Sequence, residues 1–166
     1  MLKVKSTKSH VSFGVSEAGN DGSGSFAEGG TEKILPVRRG DDYLKKYAPD
    51  LATMRQRIGF IKCDVQGFEP NVFAGLGETL ARHQPMIMFE SDTPSLGNAA
   101  WTVLKGVGYC HLTRMRAPGD DRSKLSREWA RLKHGTSCWL EPITSIPEKH
   151  CNLIASVEEL PSFQNI

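Results

Sequence analysis

The stretch Ile58-Gly-Phe-Ile-Lys-Cys-Asp-Val-Gln-Gly-Phe-Glu-Pro70 decides the fold of this chain. Its apolar run from Phe60 to Val65 is typical of a buried β-strand, and Gly67 allows a sharp turn into the segment that follows. Apolar side chains recur every fourth position over residues 68–80, which predicts one apolar stripe along a helix. A second apolar run follows at residues 86–90. The pattern predicts a strand, helix and strand unit whose two strands are most simply parallel.

The rest of the chain extends this α/β alternation. Further strands are predicted at residues 11–15, 34–38, 109–115, 137–140 and 152–157, with helices at 98–107 and 124–134. Near-continuous apolar strands favour a mostly parallel sheet with helices on both faces. The pattern predicts one domain over residues 1–157, with a flexible Gly- and Ser-rich loop at 16–31 and a tail at 158–166. Asp41 or Asp42 is expected to cap a short helix that ends before Pro49.

The composition is typical of a soluble globular protein with one domain. The chain has 166 residues, of which 39% are apolar and 24% charged, and its formal net charge is +2. No stretch approaches the roughly 18 uninterrupted apolar residues of a membrane span, and the N-terminus lacks the apolar core of a signal peptide. We therefore expect a soluble, cytoplasmic protein with no membrane partner, and so small a net charge does not indicate nucleic acid.

Cysteine and histidine spacing does not predict a metal centre. The four cysteines form no C-x-x-C pair and are expected to be reduced, mostly packed thiols. Imidazole and thiolate lie near each other at three places: Cys110-His111, His134 with Cys138, and His150-Cys151. Because adjacent residues of a strand point to opposite faces, each pair offers only one ligand inward, and we predict no metal.

Charged side chains in the apolar strand are the clearest functional signal. Period two places Lys62 and Asp64 on one face, where burial is costly unless the charges are paired or used. Asp64 falls at the carboxyl end of the strand, where α/β sheets bind ligands, and Glu69 starts the next helix. Two explanations stay open: a ligand site, or ion pairs of Lys62 with Asp64 or Glu90 beside a Glu69 that only caps its helix. We expect Lys62 to lie within pairing distance of Glu90.

Residues 114–133 form a basic segment with three possible roles. The segment contains seven basic and three acidic side chains. Arg127 and Arg131 lie one helical turn apart with Trp129 nearby, so the segment is a candidate for binding an anionic substrate. A solvated helix packed through Trp129 explains the same pattern. Nucleic acid is the weakest of the three explanations because no stacking-aromatic motif accompanies the charges.

Four segments, taken in order, match the pattern of one known enzyme family. They are Arg38-Arg-Gly-Asp-Asp-Tyr-Leu44, residues 58–69, Ala74-Gly75 and His83-Gln-Pro-Met-Ile-Met-Phe-Glu90. These segments resemble the FkbM family of S-adenosylmethionine-dependent methyltransferases. The hallmark of that family has the form I-D-F-I-K-x-D-V-E-G-F-E, followed by a helix with a Gly-Ala or similar pair and a strand of the form P-x-I-x-x-E. The resemblance covers residues 34–92, and Asn152-Leu-Ile-Ala155 is similar to the family's closing strand.

The resemblance implies a Rossmann-like methyltransferase fold, S-adenosylmethionine as cofactor, and methyl transfer to an oxygen of a small molecule or glycan. It implies catalytic roles for Lys62, Asp64 and Glu69, with Asp64 orienting the acceptor or acting as a base. The cofactor-binding candidates are Asp64, Gln66 and Gly67, and the substrate-binding candidates are Glu90, Arg127 and Arg131. Gln66 stands where the family usually has Glu, and Gly59 replaces the usual acidic residue.

The family's first strand, glycine-bearing cofactor loop and ribose-binding acidic residue are expected before Val11, where the sequence leaves no room for them. Gly22-Ser-Gly24 does not replace the loop, because it lacks a third glycine at G-x-G-x-x-G spacing. We therefore expect an N-terminally truncated domain, which is either a methyltransferase portion or a non-catalytic remnant that binds a partner. Missing first strands would expose a sheet edge and favour self-association.

Overall fold

A five-stranded sheet forms the centre of the protein. The computed structural model describes residues 10–15, 31–117, 129 and 138–161. The strands of the central sheet are β3 (Phe60–Cys63), β4 (Met86–Ser91), β5 (His111–Arg116), β6 (Trp139–Ile143) and β7 (Cys151–Ser156), in the order β3-β4-β7-β5-β6. Two further strands, β1 (His10–Val15) and β2 (Thr31–Pro36), pair with each other in antiparallel orientation.

Five helices accompany the strands in the described part of the chain. They are α1 (Gly40–Tyr47), α2 (Pro49–Ala52), α3 (Glu69–Gly75), α4 (Gly77–His83) and α5 (Pro94–Gly106). The helix predicted at residues 68–80 is divided into α3 and α4 at Leu76. The helix α5 begins four residues earlier than predicted, because the Thr93 side chain accepts the Leu96 backbone N–H and Pro94 occupies the first turn. Within the described ranges, every helix is too short or too polar to cross a membrane.

The central sheet is mixed, so the prediction of a mostly parallel sheet is wrong. The strands β3 and β4 are parallel, as the strand, helix and strand unit predicts. The strand β7 lies between β4 and β5 and runs antiparallel to both, and β6 runs antiparallel to β5. Apolar runs also occur in buried antiparallel strands, so this pattern did not determine the directions of β5, β6 and β7.

The predicted covering of both sheet faces is also wrong at β3. On this edge strand Ile61 and Cys63 point toward the core, whereas Phe60 is 51% exposed and Lys62 is exposed. The buried face continues on β4 with Ile87 and Phe89. A charged side chain on the exposed face of an edge strand needs no buried partner. The argument that Lys62 must be paired because it is buried therefore does not hold.

The helices pack on the inward face of β4 through aromatic and aliphatic side chains. Phe73 of α3 meets Phe89 of β4 edge to face, with ring centroids 5.6 Å apart. Leu104 of α5 and Leu153 of β7 are fully buried in the same core. Tyr109 is buried with them and donates its hydroxyl hydrogen to the Pro85 carbonyl at 2.7 Å. The core thereby fixes α3 and α5 against the strands whose carboxyl ends form the site described below.

Asp41 is a buried cap, but for a different helix from the one predicted. Its carboxylate accepts the backbone N–H groups of Glu78 and Thr79, both at 3.0 Å, and the Thr79 hydroxyl at 2.7 Å. The side chain therefore caps α4, while Arg39, the N-cap residue of α1, makes no side-chain cap hydrogen bond. Burial opposes ionisation of Asp41, but the hydrogen bonds from Thr79 and Glu78 outweigh it and lower the pKa of Asp41.

Three predicted features lie wholly or partly outside the described residues. They are the Gly- and Ser-rich loop at 16–31, the helix at 124–134 and the tail at 158–166. Trp129 is described, and it is 72% exposed. The exposure of the Trp129 side chain does not support the prediction that it anchors a helix to the core.

Adding a methyl group at Gly97 is expected to destabilise the protein. A Cβ atom there would lie 2.2 Å from Ser91 Oγ and 2.8 Å from Ile146 Cγ2, because α5 approaches β4 closely at this point. We expect Gly97→Ala to lower the free energy of unfolding by about 1–3 kcal/mol in urea denaturation. Gly106→Ala in the same helix is the matched control, because its Cβ meets nothing within 4 Å. Equal stability of the two variants would contradict the close approach.

Removing the Asp41 carboxylate is expected to release the start of α4. Asp41→Ala leaves two buried N–H groups without their acceptor and should cost about 1–3 kcal/mol at pH 7. The exposed neighbour gives the control Asp42→Ala, which should change stability by less than about 0.5 kcal/mol. Because the folded-state pKa is lowered, the stabilisation is present above about pH 4 and disappears as pH falls through the folded pKa. A cost that persists at lower pH would contradict this account.

Candidate functional site

The turn between β3 and α3 forms one side of the candidate site. Gln66 has φ +51° and Gly67 has φ +92°, so two consecutive residues adopt left-handed backbone conformations. This reverses the chain at the carboxyl end of β3 and leads into α3. Glycine adopts such a conformation freely, whereas glutamine requires compensation from its surroundings.

A buried carboxylate holds this turn. Glu69 is 2% exposed, and its Oε1 accepts the Val65 backbone N–H at 3.0 Å. Burial is the main cause that raises the pKa of Glu69, with repulsion from Asp92 adding to it and backbone hydrogen bonds opposing it. Glu69 was predicted either to line a ligand site or only to cap its helix. Its burial and its hydrogen bond with Val65 indicate a structural role, in which it stabilises the turn.

Polar side chains above the turn form a connected network. Lys62 Nζ lies 3.2 Å from Asp64 Oδ2. The Gln66 side-chain amide donates to Asp64 Oδ1 at 3.2 Å and to Glu90 Oε2 at 3.1 Å. One amide group therefore links the carboxylates at the ends of β3 and β4.

The prediction that Lys62 pairs with Glu90 is wrong. In the parallel register Lys62 lies opposite Met88, and its side chain is 59% exposed. Its ion pair is with Asp64, the other partner that the sequence left open, and Gln66 takes the place of Lys62 beside Glu90. Because Lys62 lies on the exposed face of an edge strand, its ammonium group can turn toward the nearer carboxylate, that of Asp64.

Asp64 is the most accessible carboxylate of the network. The hydrogen bond from Lys62 is the main cause that lowers its pKa, with a smaller contribution from Gln66, while burial acts in the opposite direction. Asp64 is therefore ionised at neutral pH and is free to accept hydrogen bonds from the solvent side.

A histidine from a distant part of the chain completes the edge. The antiparallel pairing of β4 with β7 places Glu90 opposite Asn152 and Ser91 opposite Cys151, so His150 lies at the end of β4 and its side chain reaches diagonally to Glu90. His150 Nε2 lies 2.5 Å from Glu90 Oε1 and 3.7 Å from Asp92 Oδ1. Asp92 was not among the predicted site residues, and His150 was considered only with Cys151 and rejected as a ligand, because nothing in the sequence shows that β7 is inserted beside β4.

The cysteines divide into two groups. Cys63 and Cys151 are buried, as expected for packed thiols, whereas Cys110 and Cys138 are exposed. Burial, with repulsion from Glu69 and Asp64, raises the pKa of Cys63 to about 12. Cys63 is therefore a protonated thiol that packs under the turn, and it is not a nucleophile.

The structure brings together most of the predicted site residues. Those at the carboxyl edge of β3 and β4 are Lys62, Asp64, Gln66, Gly67 and Glu90, with Glu69 buried beneath them. Arg127 and Arg131 lie outside the described residues, so their predicted substrate contacts remain predictions.

Two substitutions at Glu69 separate its hydrogen bond from its charge. Glu69→Ala leaves the Val65 N–H without its acceptor and should lower the free energy of unfolding by about 1–3 kcal/mol. Glu69→Gln keeps an acceptor oxygen and should cost less than about 1 kcal/mol at pH 8. Because burial raises the folded-state pKa, the parent loses stability as pH rises above about 4, and Glu69→Gln does not share this loss. Equal costs for both variants in urea denaturation would contradict the role of the acceptor.

Comparison with protein-family models matches residues 3–109 to the Methyltransferase FkbM domain. The matched range contains β3, the turn, α3, β4 and α5, and it extends beyond residues 34–92 at both ends. Searches of curated proteins and of solved structures gave no match. The resemblance of the four segments is thereby confirmed, and the chain belongs to the FkbM methyltransferase family.

Proposed function

We propose that this protein transfers a methyl group from S-adenosylmethionine to an oxygen of a small molecule or glycan. Membership of the methyltransferase family supports the reaction class. The observation that supports the location is the pair of carboxylates, Asp64 and Glu90, held by one Gln66 amide at the carboxyl ends of two parallel strands. Ligands of α/β sheets bind at such edges. The proposal includes a Rossmann-like fold, which the parallel β3–β4 pair supports.

The charge at this edge suits a positively charged methyl donor. Asp64, Glu90 and Asp92 contribute three carboxylates, and Lys62 is the cation paired with one of them. This excess of negative charge attracts a sulfonium centre. In the proposal Asp64, Gln66 and Gly67 hold the cofactor. When bound, S-adenosylmethionine supplies an electrophilic methyl group on a positively charged sulfur.

Asp64 is proposed to orient the acceptor hydroxyl. Each oxygen of an ionised carboxylate accepts two hydrogen bonds, so Asp64 keeps acceptor capacity beside its contacts with Lys62 and Gln66. A hydrogen bond from the acceptor hydroxyl to Asp64 directs an oxygen lone pair away from the carboxylate, and such alignment lowers the barrier to transfer. The lowered pKa of Asp64 favours this orienting role over proton removal.

The remaining predicted residues support Asp64 in this proposal. Lys62 fixes one of its oxygens, and Glu69 fixes the turn through Val65. Glu90 faces the same edge and is proposed to contact the acceptor. Neither Lys62 nor Glu69 needs to touch the reacting atoms.

Asp64→Asn is the direct test, because the change is nearly isosteric and removes the charge and one acceptor oxygen. We expect the turnover number to fall roughly 100-fold, with an unchanged melting temperature, since a misplaced reactant costs about 10²-fold in rate. The measurement is release of S-adenosylhomocysteine from S-adenosylmethionine across a panel of hydroxylated small molecules and glycans. Asp50→Asn is the control, since Asp50 is exposed and its contact is Arg55 at 3.8 Å.

Two outcomes would contradict the proposal. Full activity in Asp64→Asn would show that the Asp64 carboxylate does not orient the acceptor. Absence of product with every acceptor, together with no heat of S-adenosylmethionine binding in calorimetric titration, would favour the alternative that the chain is a non-catalytic partner-binding module.

A further inference from the structure

Three metal-ligating side chains converge at the carboxyl edge of β4. The side chains of Glu90, Asp92 and His150 each offer one ligand atom, and the three atoms lie within 4.8 Å of one another. Glu90 is in β4, Asp92 follows the strand, and His150 immediately precedes β7. Two separate parts of the chain, folded together by strand pairing, therefore present oxygen and nitrogen donors to one point.

We propose that Glu90, Asp92 and His150 bind one divalent first-row transition-metal ion, such as Mn²⁺ or Zn²⁺. The site would hold the acceptor hydroxyl on the metal, and this role rests on the methyl-transfer function proposed above. Metal binding itself does not depend on that function.

The distances are close to those of a coordinated ion. Ligand atoms lie about 2.0–2.2 Å from such metals, so that neighbouring ligand atoms are about 3 Å apart. His150 Nε2 is 2.5 Å from Glu90 Oε1 and 3.7 Å from Asp92 Oδ1, values on either side of this spacing. Binding of the ion therefore requires side-chain rotations that lengthen the contact of His150 with Glu90 and shorten its distance to Asp92.

The donor set identifies the class of metal. Two carboxylate oxygens with one imidazole nitrogen suit Mn²⁺, Fe²⁺ or Zn²⁺, whereas Ca²⁺ and Mg²⁺ favour oxygen alone. Three protein ligands leave coordination positions open, as in catalytic sites and unlike closed structural ones. Two negative charges beside a neutral imidazole also offset the charge of a divalent cation.

An outer hydrogen bond orients the central ligand. The Gln66 amide donates to Glu90 Oε2 at 3.1 Å, which leaves Oε1 directed toward His150. Outer hydrogen bonds of this kind are a regular feature of metal sites. The His150 side chain is 54% exposed, so an ion and an acceptor hydroxyl can both reach the cluster from solvent.

The position explains how a metal would assist methyl transfer. Coordination would lower the pKa of a bound acceptor hydroxyl, so that its proton would pass more readily to water. The resulting oxygen forms the new bond to the methyl carbon, while the carbon–sulfur bond breaks and its electron pair remains on sulfur. Asp64 is connected to the same edge through Gln66, so the orienting carboxylate and the metal site are neighbours.

The test uses Mn²⁺ alone, without methyl donor or acceptor. We expect calorimetry to show one Mn²⁺ per chain, and pulsed electron paramagnetic resonance to show coupling to an imidazole ¹⁴N. His150→Ala should abolish the ¹⁴N coupling, and His150→Ala and Asp92→Asn should each weaken Mn²⁺ binding at least tenfold. Glu148→Gln, an exposed carboxylate in the same loop, is the matched control and should keep both signals. Circular dichroism establishes that each variant is folded.

Competition with Zn²⁺ completes the experiment. Displacement of Mn²⁺ by Zn²⁺ at the same stoichiometry would support one site and identify the tighter metal. Absence of Mn²⁺ and Zn²⁺ binding at millimolar concentration, or ¹⁴N coupling that persists in folded His150→Ala, would overturn the proposal. Because these readouts need no turnover, failure of the metal site leaves the methyl-transfer proposal to its own assay. Conversely, metal binding with no product from any acceptor would contradict only the methyl-transfer function.

Discussion

The hydrogen bond from the Val65 N–H to the buried Glu69 carboxylate is the constraint on which the site depends. It closes a turn in which Gln66 and Gly67 both have positive φ. A glutamine in this conformation costs of order 1 kcal/mol, and a buried carboxylate adds a desolvation cost. The bonds that Glu69 and the Gln66 side chain make offset these costs. The result is a turn that directs Asp64 toward solvent while Cys63 points into the core.

The second half of the site depends on strand order. Because β7 is inserted beside β4, the residue before β7 meets the residues at the end of β4. His150 and Glu90 are thereby brought together across 60 positions of sequence. Packing of Phe73 on Phe89 and of α5 on β4 fixes the strands themselves. The site therefore rests on the packed strands β3 and β4, and the residue before β7 completes it.

The sequence predicted the parts that arise from local periodicity. The apolar spacing of residues 58–90 was sufficient for β3, the helical segment and β4, and for their parallel pairing. It was not sufficient for the directions of β5, β6 and β7, because strand direction depends on where each strand is inserted in the sheet. Of the two partners that the sequence left open for Lys62, Asp64 is confirmed and Glu90 is wrong, since the argument for Glu90 assumed that both faces of β3 are buried. His150 was considered only together with Cys151 and rejected as a metal ligand, because β7 was not expected beside β4.

Gln66 shows how one departure from the family pattern alters the chemistry of the edge. A Glu, which the family usually has here, would place a third carboxylate at the position that now bonds Asp64 Oδ1 and Glu90 Oε2 at 3.2 and 3.1 Å. Three carboxylates so close repel one another unless one takes up a proton or binds a cation. The amide instead donates a hydrogen bond to each neighbouring carboxylate and so links Asp64 to Glu90 without adding a charge. The substitution therefore removes one negative charge from the edge but preserves its geometry.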